Sequence, residues 1–357
     1  MTIEYASALA NMRLRRIGTD TLTERYQKRA TAPATQYALG AMQEVDKAYT
    51  ETSIAEGNRV GTCVKDGVTP PVTLRLQGSV PLNTHIRKSS DVDVLVINEN
   101  IITYSTQGPR AAIYGRAILE ETSAIGQMLS LRRECEDVLS SRYHAAKVDT
   151  TGAKSIAVSG GSLVRKVDIV PANWFDSAEY QASGYDYQRG INVLDKHTKE
   201  RPLNWPFLFM NEVNIADMHT QGGTKRATRL LKNITSDSSQ KIEMSSYDIT
   251  SIVWNIPKEK LNMPGPKDLA ILASVQSYLE YLGNRVDYAK TLYTPDKSRT
   301  IFNTPEKLTE LNKLRSEVNR LANQIYHELS NTINIGLNTI PSSDTLQKVL
   351  ASSLIAA

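Results

Sequence analysis

Asp91 and Asp93 stand one residue apart at the mouth of an apolar run, DVDVLVI, that reads as a β-strand. In a strand, side chains two apart share a face, so the two carboxylates are presented together while Val92 and Val94 point the other way. Two acids so placed repel unless a cation lies between them. Mg²⁺ prefers carboxylate oxygens supplemented by substrate phosphates and water, so a metal is the natural partner. Gly78-Ser79, shortly upstream, extends that reading, because a glycine lets backbone approach a phosphate closely while neighbouring N–H groups and the serine hydroxyl donate to it. A third acid, Asp168 in VRKVDIVP, sits near the end of another apolar run and could complete a two-metal centre.

The elements that must position these residues are legible in outline. VTLRLQ at 72–77, DVDVLVI at 91–97 and LVRKVDIV at 163–170 are strand-like, the last reached from SIAVS across Gly160-Gly161, a hairpin signal. Between them, 110–144 carries helical spacing and is expected to be a crossover helix. Residues 19–52 are expected to be packing helices, with Pro33 interrupting or starting a second piece. Residues 53–71, with Gly57, Gly61, Gly67, Pro70 and Pro71, read as loop or short irregular strand. After Pro202 the pattern turns helical, at about 222–235, 246–256, 266–283, 305–332 and 343–354. No internal repeat or low-complexity tract is evident.

Composition bounds the function. The chain has 357 residues, 40% hydrophobic and 22% charged, which suits a globular enzyme of one large or two closely joined domains. Its two cysteines, Cys63 and Cys135, cannot build a disulfide framework or a four-cysteine zinc site. With no membrane-spanning run and no leader-like pattern, a reducing, cytoplasmic location and no membrane partner are expected. A formal charge of +4 suits an anionic small molecule and is too mild to indicate duplex binding.

The text LQGSVPLNTHIRKSSDVDVLV together with VDIVPA resembles the DNA polymerase β-like nucleotidyltransferases. More closely, it resembles their bacterial cGAS/DncV-like branch, with Asn83-Thr84, Ile86-Arg87 and Ser90-Asp91 most like clade E. RATRLLKNI followed by SSYDI is similar to that family's helical lobe, and PDKSRTIFN at 295–303 to its C-terminal segment. The resemblance covers most of residues 20–332. It implies an α+β fold: a polymerase β-like core of mixed sheet with helices, followed by a helical lobe, with the active site in the cleft between them. The expected divisions are 1–201 for N-terminal helices plus catalytic core, 202–335 for the helical nucleotide-binding lobe, and 336–357 for a C-terminal tail.

The same resemblance implies site roles. Asp91, Asp93 and Asp168 would be catalytic and hold two Mg²⁺ ions, with Mn²⁺ as a substitute. Gly78, Ser79 and Lys232 would hold the donor triphosphate together with Ser246, and Tyr247 would stack on a nucleobase. Lys225, Arg229 and Lys232 fall at i, i+4 and i+7, which independently makes one basic helical face. Ser246 also suits a helix N-cap and Tyr247 a core position. Asn173 could read a base edge, because an amide both donates and accepts. His85, Arg87 and Lys88 are either solvated loop residues or neutralise phosphate charge. His144, His197, His219 and His327 are scattered without ligand spacing.

The implied reaction is nucleotidyl transfer between ribonucleoside triphosphates, releasing pyrophosphate and closing a cyclic di- or trinucleotide. In the bacterial relatives such a product signals phage infection (CBASS) to a separate effector. The absence of a zinc-ribbon insertion argues against direct DNA sensing. In some relatives a tail ending in small residues is joined to targets by ubiquitin-like conjugation machinery, and 336–357 is a candidate for that. The competing readings are transfer to a drug, protein or tRNA acceptor, and an inactive nucleotide-binding scaffold.

Overall fold

The computed structural model describes residues 4–7, 32–86, 91–114, 121–263, 267–332 and 343–353. The chain separates into two compact units, one formed by Lys47–Leu82 and Ser90–Asn211, the other by Met1–Asp46, Asn83–Ser89 and Glu212–Ala357. This differs from the linear division expected from sequence. Described residues 32–46 and 83–86 group with the helical unit, not with the sheet.

Among the described residues the first unit is built on a mixed sheet of seven strands: β1 (Val72–Gln77), β2 (Val92–Tyr104), β3 (Lys147–Asp149), β4 (Ile156–Ser159), β5 (Val167–Asp176), β6 (Arg189–Val193) and β7 (Leu203–Asn204). The main order is β1-β2-β5-β4-β3, and β6 pairs with both β5 and β7. β2 and β5 run parallel at the centre, and β5, paired on both sides, is buried along nearly its whole length even though it carries Asp168, Asn173 and Asp176. Its Pro171 lies where one neighbour gives way to the next: β4 pairs as far as Ile169 and β6 begins at Ala172. A residue without an N–H is tolerated at such a changeover.

One face of this sheet is covered by helices Lys47–Lys65 and Glu121–Arg142. Val60, Val64, Met128, Leu131 and Leu139 pack there on Val92, Val94, Val96, Val167 and Ile169. The helix Lys47–Lys65 replaces the loop or irregular strand expected over most of 53–71. Its glycines are contact positions: a Cβ at Gly57 would meet Val92 at 2.6 Å, and one at Gly61 would meet Val94 at 3.1 Å. The small residues that argued against a helix are what let it lie close on the sheet. The strand expected from Leu163 begins only at Val167, because Glu56 accepts the backbone N–H groups of Val164 and Arg165, each at 2.8 Å, and so holds them in a turn.

The second unit is helical. Its main elements are Pro33–Met42, Gly223–Asp237, Ser246–Trp254, Asp268–Asn284, Pro305–Thr332 and Ser343–Ser352, around a core that includes Tyr37, Leu231, Ile252, Leu272, Leu314 and Leu321. Pro33 starts its helix, where a missing N–H is harmless. Residues 19–31 of the expected first helical piece lie outside the described residues. Helix Pro206–His219, which follows β7, was not anticipated. Helix Ser343–Ser352 buries Leu346 and Leu350 in the core of this unit, so that stretch of the expected tail is docked. Among the described residues no helix is long and apolar enough to cross a membrane.

Candidate active site

The strand pairing brings the acids together. Asp93 on β2 is the direct register partner of Asp168 on parallel β5, and on its other side faces Gln77, the last residue of β1. Period-2 alternation sends Val92 and Val94 under the covering helices and leaves Asp93 on the opposite face. The turn after β1 then approaches Asp93 from above. Gly78 has φ +83°, and a Cβ there would lie 2.6 Å from Asp93 Oδ2. Only glycine fits both the backbone conformation and the space. Ser79, the next residue in the turn, is partly exposed.

The electrostatics are those of a crowded acid site. Burial, and then the charges of Asp168 and Asp91, push the Asp93 carboxyl up to about 7, with Lys166 opposing the shift. Lys166 Nζ donates to Asp91 Oδ2 at 2.8 Å and to Asp168 Oδ2 at 2.9 Å, so an ammonium bridges two of the three acids. Asp168 Oδ1 is buried and has no hydrogen-bond partner. Among the described residues no three acid, imidazole or thiol groups are gathered as a ready-made metal cage, and the Lys166 bridge accounts for the present arrangement. An all-oxygen donor set, a buried carboxylate oxygen without a hydrogen-bond partner and three crowded carboxyl groups fit a hard divalent ion.

In the helical unit, the expected basic face of helix Gly223–Asp237 is engaged rather than solvated. Arg229 donates to Met42 O at 2.8 Å and to Asn83 O at 2.7 Å, and Lys232 Nζ donates to Thr84 O at 2.8 Å. Burial, helped by Arg229, lowers the Lys232 ammonium to about 8. Lys225 Nζ lies 3.8 Å from Asp217. Ser245, not Ser246, caps the helix Ser246–Trp254, accepting from Asp248 N at 3.0 Å. Ser246 is its exposed first residue. Tyr247 donates to Asp296 Oδ2 at 2.6 Å, and the Arg299 guanidinium lies 5.2 Å from its ring centroid.

Asn173 is fully buried in the sheet unit. Its Nδ2 donates to Trp174 O at 3.0 Å and its Oδ1 accepts from Arg201 at 2.7 Å, so both ends of the amide are bonded inside the fold instead of offering an edge to a base. His85 is buried as well, which removes the solvated-loop reading for it, while Arg87 and Lys88 lie outside the described residues. Sequence reading missed Lys166, Glu56, and the pair Asp296 and Arg299 that brackets Tyr247. For Lys166 there was a signal: it sits two positions before Asp168 in an extended run, and hence on the same face.

Residues 211–330 match the model of the cGAS/DncV-like nucleotidyltransferase C-terminal helical domain. The chain is 35% identical over 315 residues to the cyclic dinucleotide synthase CdnE of Yersinia aleksiciae, covering 87% of this chain and 81% of that protein. It is 29% identical over 303 residues to a c-di-GMP synthase of a Lachnospiraceae bacterium, covering 79% of this chain and 86% of that one. The solved structure of the STING-associated CdnE c-di-GMP synthase from Capnocytophaga granulosa superimposes with a TM-score of 0.72 at 28% identity, covering 89% of this chain and 97% of that one. With acids, glycine turn and helical unit all accounted for, the chain belongs to the cGAS/DncV-like nucleotidyltransferases.

Proposed function

We propose that this protein joins ribonucleoside triphosphates into a cyclic di- or trinucleotide second messenger, releasing pyrophosphate, as part of bacterial anti-phage signalling. The observation that carries the reading is the in-register pair Asp93 and Asp168, with Asp91 on the same strand entrance and Gly78 pressed against Asp93. The naming of the relatives as cyclic dinucleotide and c-di-GMP synthases supports the class of product.

Asp91, Asp93 and Asp168 are the residues that would hold Mg²⁺, or Mn²⁺ in its place, which when bound supplies charge neutralisation of the phosphates and a lowered hydroxyl pKa. Asp168 takes the proton of the attacking hydroxyl at Oδ1, the oxygen that has no partner in the fold. A bond forms between that hydroxyl oxygen and the α-phosphorus as the bond to the pyrophosphate oxygen breaks. Ser79 and the backbone of the Gly78 turn orient the triphosphate, and Lys232 and Ser246 are assigned to nucleotide binding as well. Tyr247, its ring held by Asp296 and Arg299, stacks on a base. Further transfer, the last of it within the joined nucleotides, closes the ring with release of another pyrophosphate.

A diffusible product implies a separate effector that reads it. Conjugation of the C-terminal tail belongs to the same proposal and would act beyond Ser353, because Leu346 and Leu350 are packed into the helical core. The reaction is tested by metal-dependent pyrophosphate release from mixed ribonucleoside triphosphates. Release in the wild type and its loss in Asp93→Asn are expected; equal release by both proteins would remove Asp93 from the mechanism.

A further inference from the structure

We propose that Lys166 is a resident counter-ion of the acid site: its ammonium holds the cation position between Asp91 and Asp168 until a divalent ion displaces it. This rests on the reading that the three aspartates bind metal. Nζ lies within hydrogen-bond reach of one oxygen of each acid, at 2.8 and 2.9 Å. A divalent ion seeking the same oxygens meets a positive charge already in contact with them, and the two cations repel.

The arrangement is built at one end and loose at the other. Lys166 O accepts from Val92 N at 3.1 Å, and the two residues before it are clamped by Glu56. The Arg165 guanidinium covers the ring of Tyr49, 3.4 Å from its centroid. The backbone that delivers Lys166 is therefore fixed, whereas its side chain is 40% exposed and has room to leave. Nor does Lys166 satisfy the site alone, since Asp168 Oδ1 stays buried without a partner. The ammonium keeps the acids assembled against their mutual repulsion in the metal-free protein and yields them on loading. Once released it has an alternative anionic partner in the substrate triphosphate. Lys166 is thus a positioning residue that sets the metal affinity of the site.

The test is Mn²⁺ binding, followed by electron paramagnetic resonance of the free ion, in the intact wild type and in Lys166→Met, Lys166→Arg and Asp168→Asn. Lys166→Met is expected to bind Mn²⁺ about tenfold or more tightly than wild type, because a cation touching the ligand oxygens is removed. Lys166→Arg, which keeps the charge, should bind as wild type does, and Asp168→Asn should lose the site. In thermal melts, Lys166→Met should unfold earlier in chelator and gain more from added Mg²⁺ than wild type gains. If it fails to fold, Lys166→Gln replaces it in both measurements. Unchanged or weaker Mn²⁺ binding in the neutral variant, with binding still lost in Asp168→Asn, overturns the proposal and leaves the metal reading standing. No Mn²⁺ binding by any of the proteins overturns both.

Discussion

Replacing Gly78 by alanine tests how tightly the turn and the acid site are coupled. The substitution forces a side chain into the left-handed region, at φ +83°, for about 1–2 kcal/mol. It also places a Cβ 2.6 Å from Asp93 Oδ2, about 0.8 Å inside the 3.4 Å at which ordinary contact begins. The carboxylate is the softer partner, because the backbone of β1 is held in register with β2 from Val72 to Gln77. Asp93 is therefore expected to move by most of that shortfall. A displacement approaching 1 Å of a group that positions the reaction costs on the order of 10²-fold in rate, so kcat for pyrophosphate release should fall roughly 30- to 100-fold. The melting temperature should drop by only about 1–3 °C. Steady-state pyrophosphate release and differential scanning calorimetry on the same preparation measure both. Activity within about twofold of wild type, at any stability, would refute the claim that Gly78 sets the position of Asp93.

Glu56→Ala removes a carboxylate that accepts two backbone N–H groups at 2.8 Å, and should destabilise the protein by about 2–4 kcal/mol in urea titrations; a change under about 0.5 kcal/mol would show that the turn before β5 holds itself. In chelator, the Asp93 contribution is greatest below its ordinary value of 3.8 and is lost as pH rises through about 7, because the folded state holds that proton more tightly. Asp93→Asn should therefore be more stable than wild type at pH 8 without metal, and denaturation curves showing it less stable would contradict the crowding argument. For Lys232 the sign is opposite: its folded value near 8 lies below the ordinary 10.5, so stability from this group rises with pH across that window. Lys232→Met should abolish that rise and weaken binding of a non-hydrolysable triphosphate about tenfold by calorimetry; unchanged affinity would leave Lys232 only its bond to Thr84.

What was legible in the sequence follows from how local each signal is. β1 was read with its observed ends, and the acids were placed on one face, because period-2 alternation and the turn glycine are properties of a few adjacent residues. Helix Lys47–Lys65 was not legible, since Gly57 and Gly61 look like helix breakers until Val92, Val94 and Leu74 are seen beneath them. Lys166 was passed over inside the expected strand run 163–170, and only the register of β2 with β5 shows that it reaches Asp91 as well as Asp168. Asn173 misled for the opposite reason: its chemistry suits base reading, but Arg201 and the Trp174 carbonyl occupy it. The grouping of 83–86 with helical residues was likewise invisible, because it depends on Arg229 and Lys232 capturing the carbonyls of Asn83 and Thr84 across long sequence separations.

The most direct test of the account is product formation. The purified protein is incubated with the four ribonucleoside triphosphates, each α-³²P-labelled in turn, in Mg²⁺ or Mn²⁺, then treated with phosphatase and compared with an Asp91→Ala/Asp93→Ala control. A phosphatase-resistant product present only in the wild type is expected, with the labels identifying its bases. Pyrophosphate release without any such product would contradict cyclisation and point to transfer onto an acceptor other than a nucleotide.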